Sequence, residues 1–204
     1  MSGKPLVAWT IEQAKSSKYL DKIIVSTDDK TIAVISEEYG AAVPFVRPKE
    51  LATDTATGID VVLHTIEWVR NSNWPYELMM LLQPTSPLRT TEDIDKSIEL
   101  LFSKKAQAVV SVCQAEHHPC KASTLSESGC MRNFVRPDVK NNNRQMLPTY
   151  YRENGAIYLF YCDYLKEKKS FFGDETFAYI MPQERSIDID SPVDLKVAQI
   201  LLDS

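Results

Sequence analysis

Three short segments carry residues whose types and spacing could do chemistry. Ser186-Ile187-Asp188-Ile189-Asp190-Ser191-Pro192 places two carboxylates two positions apart. In extended chain such residues face the same way. Asp188 and Asp190 would then point together while Ile187 and Ile189 turn inward. Paired carboxylates suit a hard cation such as Mg²⁺, with phosphate oxygens completing its shell. The same residues also fit a blander pattern, with Asp190 capping a C-terminal helix and Asp188 in solvent. The second segment is Gln83-Pro84-Thr85-Ser86-Pro87-Leu88-Arg89. Two prolines stiffen it, and Gln83, Thr85, Ser86 and Arg89 offer polar ends; a rigid turn with a surface arginine fits equally. The third is Arg152-Glu153-Asn154-Gly155-Ala156. Gly155 permits a turn or a close backbone approach. Arg152 and Arg144 are candidate carboxylate clamps, because a guanidinium can engage both oxygens at once, and surface ion pairing is the alternative for each. Phe171-Phe172 fits a core position or the wall of a sugar or acyl pocket.

Elements that could hold these segments follow from the hydrophobic pattern. Leu78–Leu82, Ala108–Val112 and Ala156–Phe160 are wholly apolar runs, and Lys22–Asp28 is a β-branched run ending in polar residues. All four fit buried strands. Val43–Val46 contains Pro44 and reads as an edge strand; a further strand is expected near 177–180. Helices are expected from Leu6 to about Ser16, over Lys30–Tyr39 ending at Gly40, over 59–70, from Thr90 or Thr91 to about Ser103, and at the C-terminus. Strands alternating with helices predict an α/β fold with a mostly parallel sheet flanked by helices. The loop 83–89 follows a strand directly, and ligands of open α/β sheets sit beyond the carboxyl ends of the strands. Residues 114–150 are polar and proline-bearing. So long a structureless loop is uncommon inside one domain, so an excursion with its own short strands, packed on another subunit, is expected.

Composition narrows the function classes. The 204 residues suffice for one domain with a sizeable core. A net charge of −5 argues against nucleic acid as a partner. No run approaches a membrane span, and the first residues lack a signal-peptide pattern. The four cysteines form no CxxC pair and read as reduced thiols of a cytoplasmic protein. His117-His118 has no zinc spacing around it, and neither a GxSxG nor a GxxxxGK[ST] motif is present.

Six segments in register extend the reading: IIVSTDD (23–29), VRPKELATDTATGID (46–60), LLQPTSPLRT (81–90), AEHHPCK (115–121), RQMLPTYYRENGAIYL (144–159) and YIMPQERSIDIDSPVDL (179–195). Together they resemble the CMP-sialic acid synthetases, the N-acylneuraminate cytidylyltransferases, and their relatives acting on legionaminic or pseudaminic acid. The resemblance implies a single Rossmann-like nucleotidyltransferase domain over 1–204, related to GT-A folds, with 114–150 as a protruding dimerisation arm. It implies CTP and a nine-carbon acidic sugar as substrates, Mg²⁺ as cofactor and a homodimer. It assigns Asp188 and Asp190 to the metal, and Arg47, Ala56 and Gly58 to the cytidine region. It assigns Gln83, Lys121, Arg144, Tyr158, Phe171 and Phe172 to the sugar pocket, with Arg152 on sugar or phosphate. The family opens with a central strand and an ARxxSKxxxxKN phosphate loop, and these 204 residues show neither. The expectation is therefore a gap in the sheet and weak catalysis by this chain. The alternative is a catalytically impaired dimeric fragment that binds sugar or partner only.

Overall fold

The computed structural model describes residues 1–53, 55–72, 74, 76–119, 122–131 and 148–203. Among the described residues six α-helices and four strands follow one another: α1 Leu6–Lys15, α2 Lys30–Glu38, α3 Gly58–Asn71, β1 Leu78–Leu81, α4 Thr91–Lys104, β2 Ala108–Gln114, β3 Tyr151–Tyr161, α5 Cys162–Lys168, β4 Thr176–Ile180 and α6 Pro192–Asp203. The strands form one sheet in the order β1-β3-β2-β4. β3 pairs antiparallel with both β1 and β2, whereas β2 pairs parallel with β4. β1, β2 and β4 thus share one direction, and β3 runs against them between two of them. The sheet is α/β and mixed.

Local chemistry explains the helix starts. Thr57 caps α3 and Thr90 caps α4, each in a reciprocal box with the acid three residues on, Asp60 and Asp93. Asp29 caps α2 through the amides of Thr31 and Ile32. Gly40, with φ +95°, follows the last turn of α2.

The sheet is covered on both faces. Val62 and Ile66 of α3 pack with Ala108, Val110, Tyr158 and Phe160. On the other face Ile94, Ile98 and Leu101 of α4 pack with Val109, Ile157 and Leu159. The alternation along β2 and β3 sends successive side chains to opposite faces. Truncating Leu159, which is 1% exposed, to alanine would cost about 2–5 kcal/mol.

One expectation needs correction. Residues 22–28 and 43–46 lie side by side, but only the parallel bridges Ile24–Ala42 and Thr27–Val46 join them, and neither forms a strand. Between this ribbon and β1 lies a cavity of about 1170 Å³ lined by Ile24, Val25, Met79, Leu81, Val62 and Leu159 among others. Without a strand partner on that side the ribbon has no long ladder to extend. Of the excursion expected over 114–150, residues 120–121 and 132–147 lie outside the described residues; the described remainder contains no strand beyond the end of β2. Helix α5 was not expected, since its seven residues are too few and too charged to show a helical period. Among the described residues no helix is long and apolar enough to cross a membrane.

Candidate active site

The sheet geometry brings three of the sequence segments together. The loop 83–89 leaves the C-terminal end of β1, the segment 181–190 leaves the C-terminal end of β4, and β3 begins at the same end because it runs the other way. Gly155 of β3 lies where they meet. A Cβ built on it would stand 2.6 Å from Gln83 Oε1 and 2.9 Å from Asp188 Oδ2. Its φ of +69° favours glycine as well. The Ile189 amide donates to the Thr85 carbonyl at 2.9 Å, so the acidic segment is tied to the proline-stiffened loop.

Several further bonds fix the approach to Asp188. The Met181 amide donates to Val112 O at 2.8 Å, and Gln183 Nε2 to Gln114 O at 2.9 Å. Arg185 engages the buried Asp93 carboxylate with Nε at 3.1 Å and Nη2 at 2.8 Å, and Tyr179 OH donates to the same carboxylate at 3.1 Å. Ser186, fully buried, accepts from Asn154 Nδ2 at 2.8 Å and donates to Pro182 O at 2.8 Å. Asp188 itself is half-buried, and its Oδ1 is buried with no hydrogen-bond partner among the described residues. An ionised oxygen in that state is costly unless a cation or donor meets it.

Asp190 is exposed. It does not cap α6: Ser191 and Asp194 do, with Ser191 Oγ donating to Asp194 Oδ2 at 2.6 Å and the Ser191 amide at 2.8 Å. Asp190 joins the cap through its amide, which donates to Asp194 Oδ2 at 3.3 Å. Among the described residues no cluster of three metal-ligating side chains occurs.

Around Asp188 stand groups of both signs. The Tyr158 hydroxyl donates to Glu153 Oε2 at 3.2 Å. Burial, then the carboxylates of Glu153 and Asp188, push the phenol's pKa upward, so it stays a donor. Arg152 pairs with Glu116 at 3.1 Å and donates to Ser186 O at 3.4 Å. The Glu116 carboxylate holds its pKa up despite partial burial, and Asp188 adds to the effect. Phe171 is buried and packs on Tyr158 with ring centroids 4.7 Å apart, while its neighbour Phe172 is 54% exposed. The paired aromatics therefore split, one supporting Tyr158 from the core and one facing solvent.

The remaining sequence candidates are placed as follows. Arg47 donates through Nε to Ser26 Oγ at 3.2 Å and through Nη2 to Ser26 O, and it borders the large cavity together with Leu82 and Pro84. Ala56 closes a turn onto Thr53 O, and Gly58 opens α3 with free space beside its Cα. None of the three hydrogen-bonds to the Asp188 group. Lys121 and Arg144 lie outside the described residues. Arg89 is no surface residue: it is 1% exposed and its guanidinium donates to Gln83 O, Ala156 O and Thr10 Oγ1. Sequence reasoning passed over Glu153 and Arg185. Glu153 adjoins a singled-out glycine, but nothing in one sequence distinguishes it from a solvated acid. Arg185 sits three residues before Asp188 without any pattern that announces a buried partner.

The profile of the family described as Cytidylyltransferase matches residues 1–201. The chain belongs to the cytidylyltransferase family. It is 34% identical over 210 residues to the CMP-N,N'-diacetyllegionaminic acid synthase of Legionella pneumophila, covering 100% of this chain and 87% of that protein. It is 36% identical to the N-acylneuraminate cytidylyltransferase of Escherichia coli O18:K1:H7, over 96% of this chain but only 45% of the relative, so it spans less than half of that protein. The pseudaminic acid cytidylyltransferase of Campylobacter jejuni is 28% identical, with 98% and 85% covered. Among solved structures, CMP:2-keto-3-deoxy-manno-octonic acid synthetase complexed with CTP superposes with a TM-score of 0.68 at 14% identity, covering 98% of this chain and 88% of the other. The 4-diphosphocytidyl-2C-methyl-D-erythritol synthase of Anaerococcus prevotii gives 0.65 at 18%, with 100% and 88% covered. These two establish that the cytidylyltransferase shares their fold.

Proposed function

We propose that this cytidylyltransferase joins CTP to a nine-carbon acidic sugar, giving a CMP-sugar and pyrophosphate. The observation that carries the proposal is the Asp188 carboxylate, buried on one oxygen and unpartnered there, at the end of the sheet where β1, β3 and β4 converge with Gln83 and Tyr158. The relatives named for legionaminic, neuraminic and pseudaminic acids support the substrate class.

In the reaction the sugar's anomeric oxygen bonds to the α-phosphorus of CTP. The bond from that phosphorus to the bridging oxygen breaks, pyrophosphate leaves, and the hydroxyl proton passes to solvent or a base. Asp188, with the exposed Asp190, would hold Mg²⁺; two carboxylates leave the remaining positions to phosphate oxygens and water. That ion supplies charge neutralisation at the phosphates. Gln83 offers an amide, and the protonated Tyr158 a hydroxyl, to the sugar. Arg152 can exchange its exposed pairing with Glu116 for the sugar carboxylate, since such surface pairs are worth little. Phe172 is free to meet an N-acyl group, with Phe171 bracing Tyr158 behind it. Arg47, Ala56 and Gly58 would receive the cytidine.

The same reading makes the protein a homodimer through 114–150, with Lys121 and Arg144 reaching the partner's sugar. Leu125, Met131 and Tyr150 of that arm are exposed, as is Tyr151 where β3 begins, which supports an apolar surface covered by a partner. Sedimentation at micromolar concentration should give a dimer.

The test is direct. The protein is incubated with CTP, Mg²⁺ and, in separate arms, neuraminic, legionaminic and pseudaminic acids, and products are followed by ³¹P NMR. A CMP-sugar phosphodiester with equimolar pyrophosphate is expected in at least one arm. Pyrophosphate released at the same rate without any sugar would replace this reading with CTP hydrolysis.

A further inference from the structure

Behind the cleft, β3 departs from its ladder. Val112 pairs with Glu153 and Val110 with Tyr158, so Asn154, Gly155, Ala156 and Ile157 stand opposite the single residue Ser111. A bulge of that size leaves main-chain groups without ladder partners. Buried side chains take them up. Ser86 Oγ donates to Asn154 O at 3.3 Å, and Arg89 Nη1 donates to Ala156 O at 2.7 Å. The Ile157 amide donates to Ser111 Oγ at 2.7 Å, and the Ala156 amide to Asn154 Oδ1 at 3.3 Å. Ser111 Oγ in turn donates towards Asn154 Oδ1 at 2.6 Å or Ile157 O at 3.2 Å, having one proton for the two.

Arg89 is the unusual member. Its partners are two carbonyls and the Thr10 hydroxyl, with no carboxylate in a salt bridge, and its Nε has no partner among the described residues. Burial draws its pKa down to about 10, with Asp93 opposing, so it remains a cation at neutral pH. A buried charge without an ionic partner is a standing cost to the fold. The two carbonyls it grips explain its placement. One belongs to Gln83, and the other to Ala156, the residue after Gly155. Both accept from Nη1, while Nη2 reaches Thr10 Oγ1; a planar guanidinium serves all three acceptors from two fixed nitrogens, which the single nitrogen of an ammonium does not reproduce.

We propose that Arg89 is a positioning residue for the Asp188 site: by holding the Gln83 and Ala156 carbonyls it fixes Gly155 against the Gln83 amide and the Asp188 carboxylate. It touches neither substrate nor metal. The inference rests on the metal role given to Asp188 above, so the experiment reads metal directly. Mn²⁺ binding in the presence of CTP is titrated by electron paramagnetic resonance in the unaltered protein, Arg89→Met, Arg89→Lys, Ser111→Ala and Ile66→Ala. The last is a core truncation on the opposite face of the sheet and should lower the melting temperature without moving the Mn²⁺ midpoint.

Arg89→Met should weaken Mn²⁺ retention roughly tenfold or more, the usual loss when a group that orients a metal ligand is removed. Arg89→Lys should fall between it and the unaltered protein, and Ser111→Ala, which loosens the same bulge from its other side, should move the same way. A folded Arg89→Met with an unchanged midpoint would overturn the proposal. So would an Ile66→Ala shift as large as that of Arg89→Met. Should Arg89→Met not fold, unchanged midpoints in both Arg89→Lys and Ser111→Ala would overturn it equally. Absence of Mn²⁺ binding by the unaltered protein would strike the metal reading itself, and the positioning role with it.

Discussion

Gly155 and Asp188 are packed so closely that a Cβ on the glycine would lie 2.9 Å from the carboxylate Oδ2. The same Cβ would come within 2.6 Å of Gln83 Oε1. At such distances each side chain must shift to admit a methyl group. Gly155→Ala should therefore displace both groups, and a displacement of about 1 Å at a reacting centre typically costs on the order of a hundredfold in rate. The left-handed backbone adds about 1–2 kcal/mol of destabilisation. Turnover and a denaturant melt on the same preparation check the two effects. An active Gly155→Ala protein would mean that Gln83 and Asp188 need not face the glycine.

Asp93 and Arg185 supply a second prediction. Burial alone would raise the Asp93 pKa, but the Arg185 bonds and the two Thr90 bonds outweigh it and hold it below 3.8. A carboxyl depressed in the folded state stabilises the fold fully above its unfolded pKa, and that contribution is lost as pH falls through the lower folded value. Asp93→Asn should destabilise by about 1–3 kcal/mol at neutral pH, because it strips a charged partner from Arg185 and weakens the α4 cap. The gap between variant and unaltered protein should narrow as the pH drops below about 4. Urea melts across that range measure it. A gap constant with pH would show that the ionised form of Asp93 contributes nothing.

The thiols should differ in reactivity. Cys113 and Cys162 are buried and Cys130 is exposed. Burial pushes the Cys162 thiol up to about 11, leaving little thiolate at neutral pH. Brief iodoacetamide treatment followed by peptide mass mapping should find Cys130 modified well before Cys113 or Cys162. Early labelling of Cys162 would place it nearer the surface than the fold allows.

Much of this architecture was legible in the chain. Leu78–Leu81, Ala108–Val112 and Ala156–Phe160 are apolar runs of strand type, and the structure uses all three in one sheet, with the first only half-buried because it borders the large cavity. Strand direction was not legible, because hydrophobic period carries no sign; hence β3 could be placed in the sheet but not turned against its neighbours. The run Lys22–Asp28 has strand composition, yet composition does not supply a ladder partner, and only isolated bridges form. Asp188, Gln83 and Gly155 were visible as chemistry, and the structure packs both side chains against the glycine. The burial of Arg89 was invisible. Two of its three partners are main-chain carbonyls, from residues 83 and 156, and carbonyls leave no trace in side-chain sequence.

Under the proposed function, Asp188 would hold the Mg²⁺ that neutralises the CTP phosphates. The most direct test is Asp188→Asn, assayed for Mg²⁺-dependent CMP-sugar formation beside the unaltered protein, with melting temperatures taken on the same samples without metal. Because Oδ1 is buried without a partner, removing its charge should leave the melting temperature unchanged or raise it by about 2–4 °C per kcal/mol relieved. Turnover should fall by roughly a hundredfold or more, as for loss of a preorganised electrostatic group. Asp188→Asn turning over at near the unaltered rate at limiting Mg²⁺ would contradict the account and move the metal away from this carboxylate.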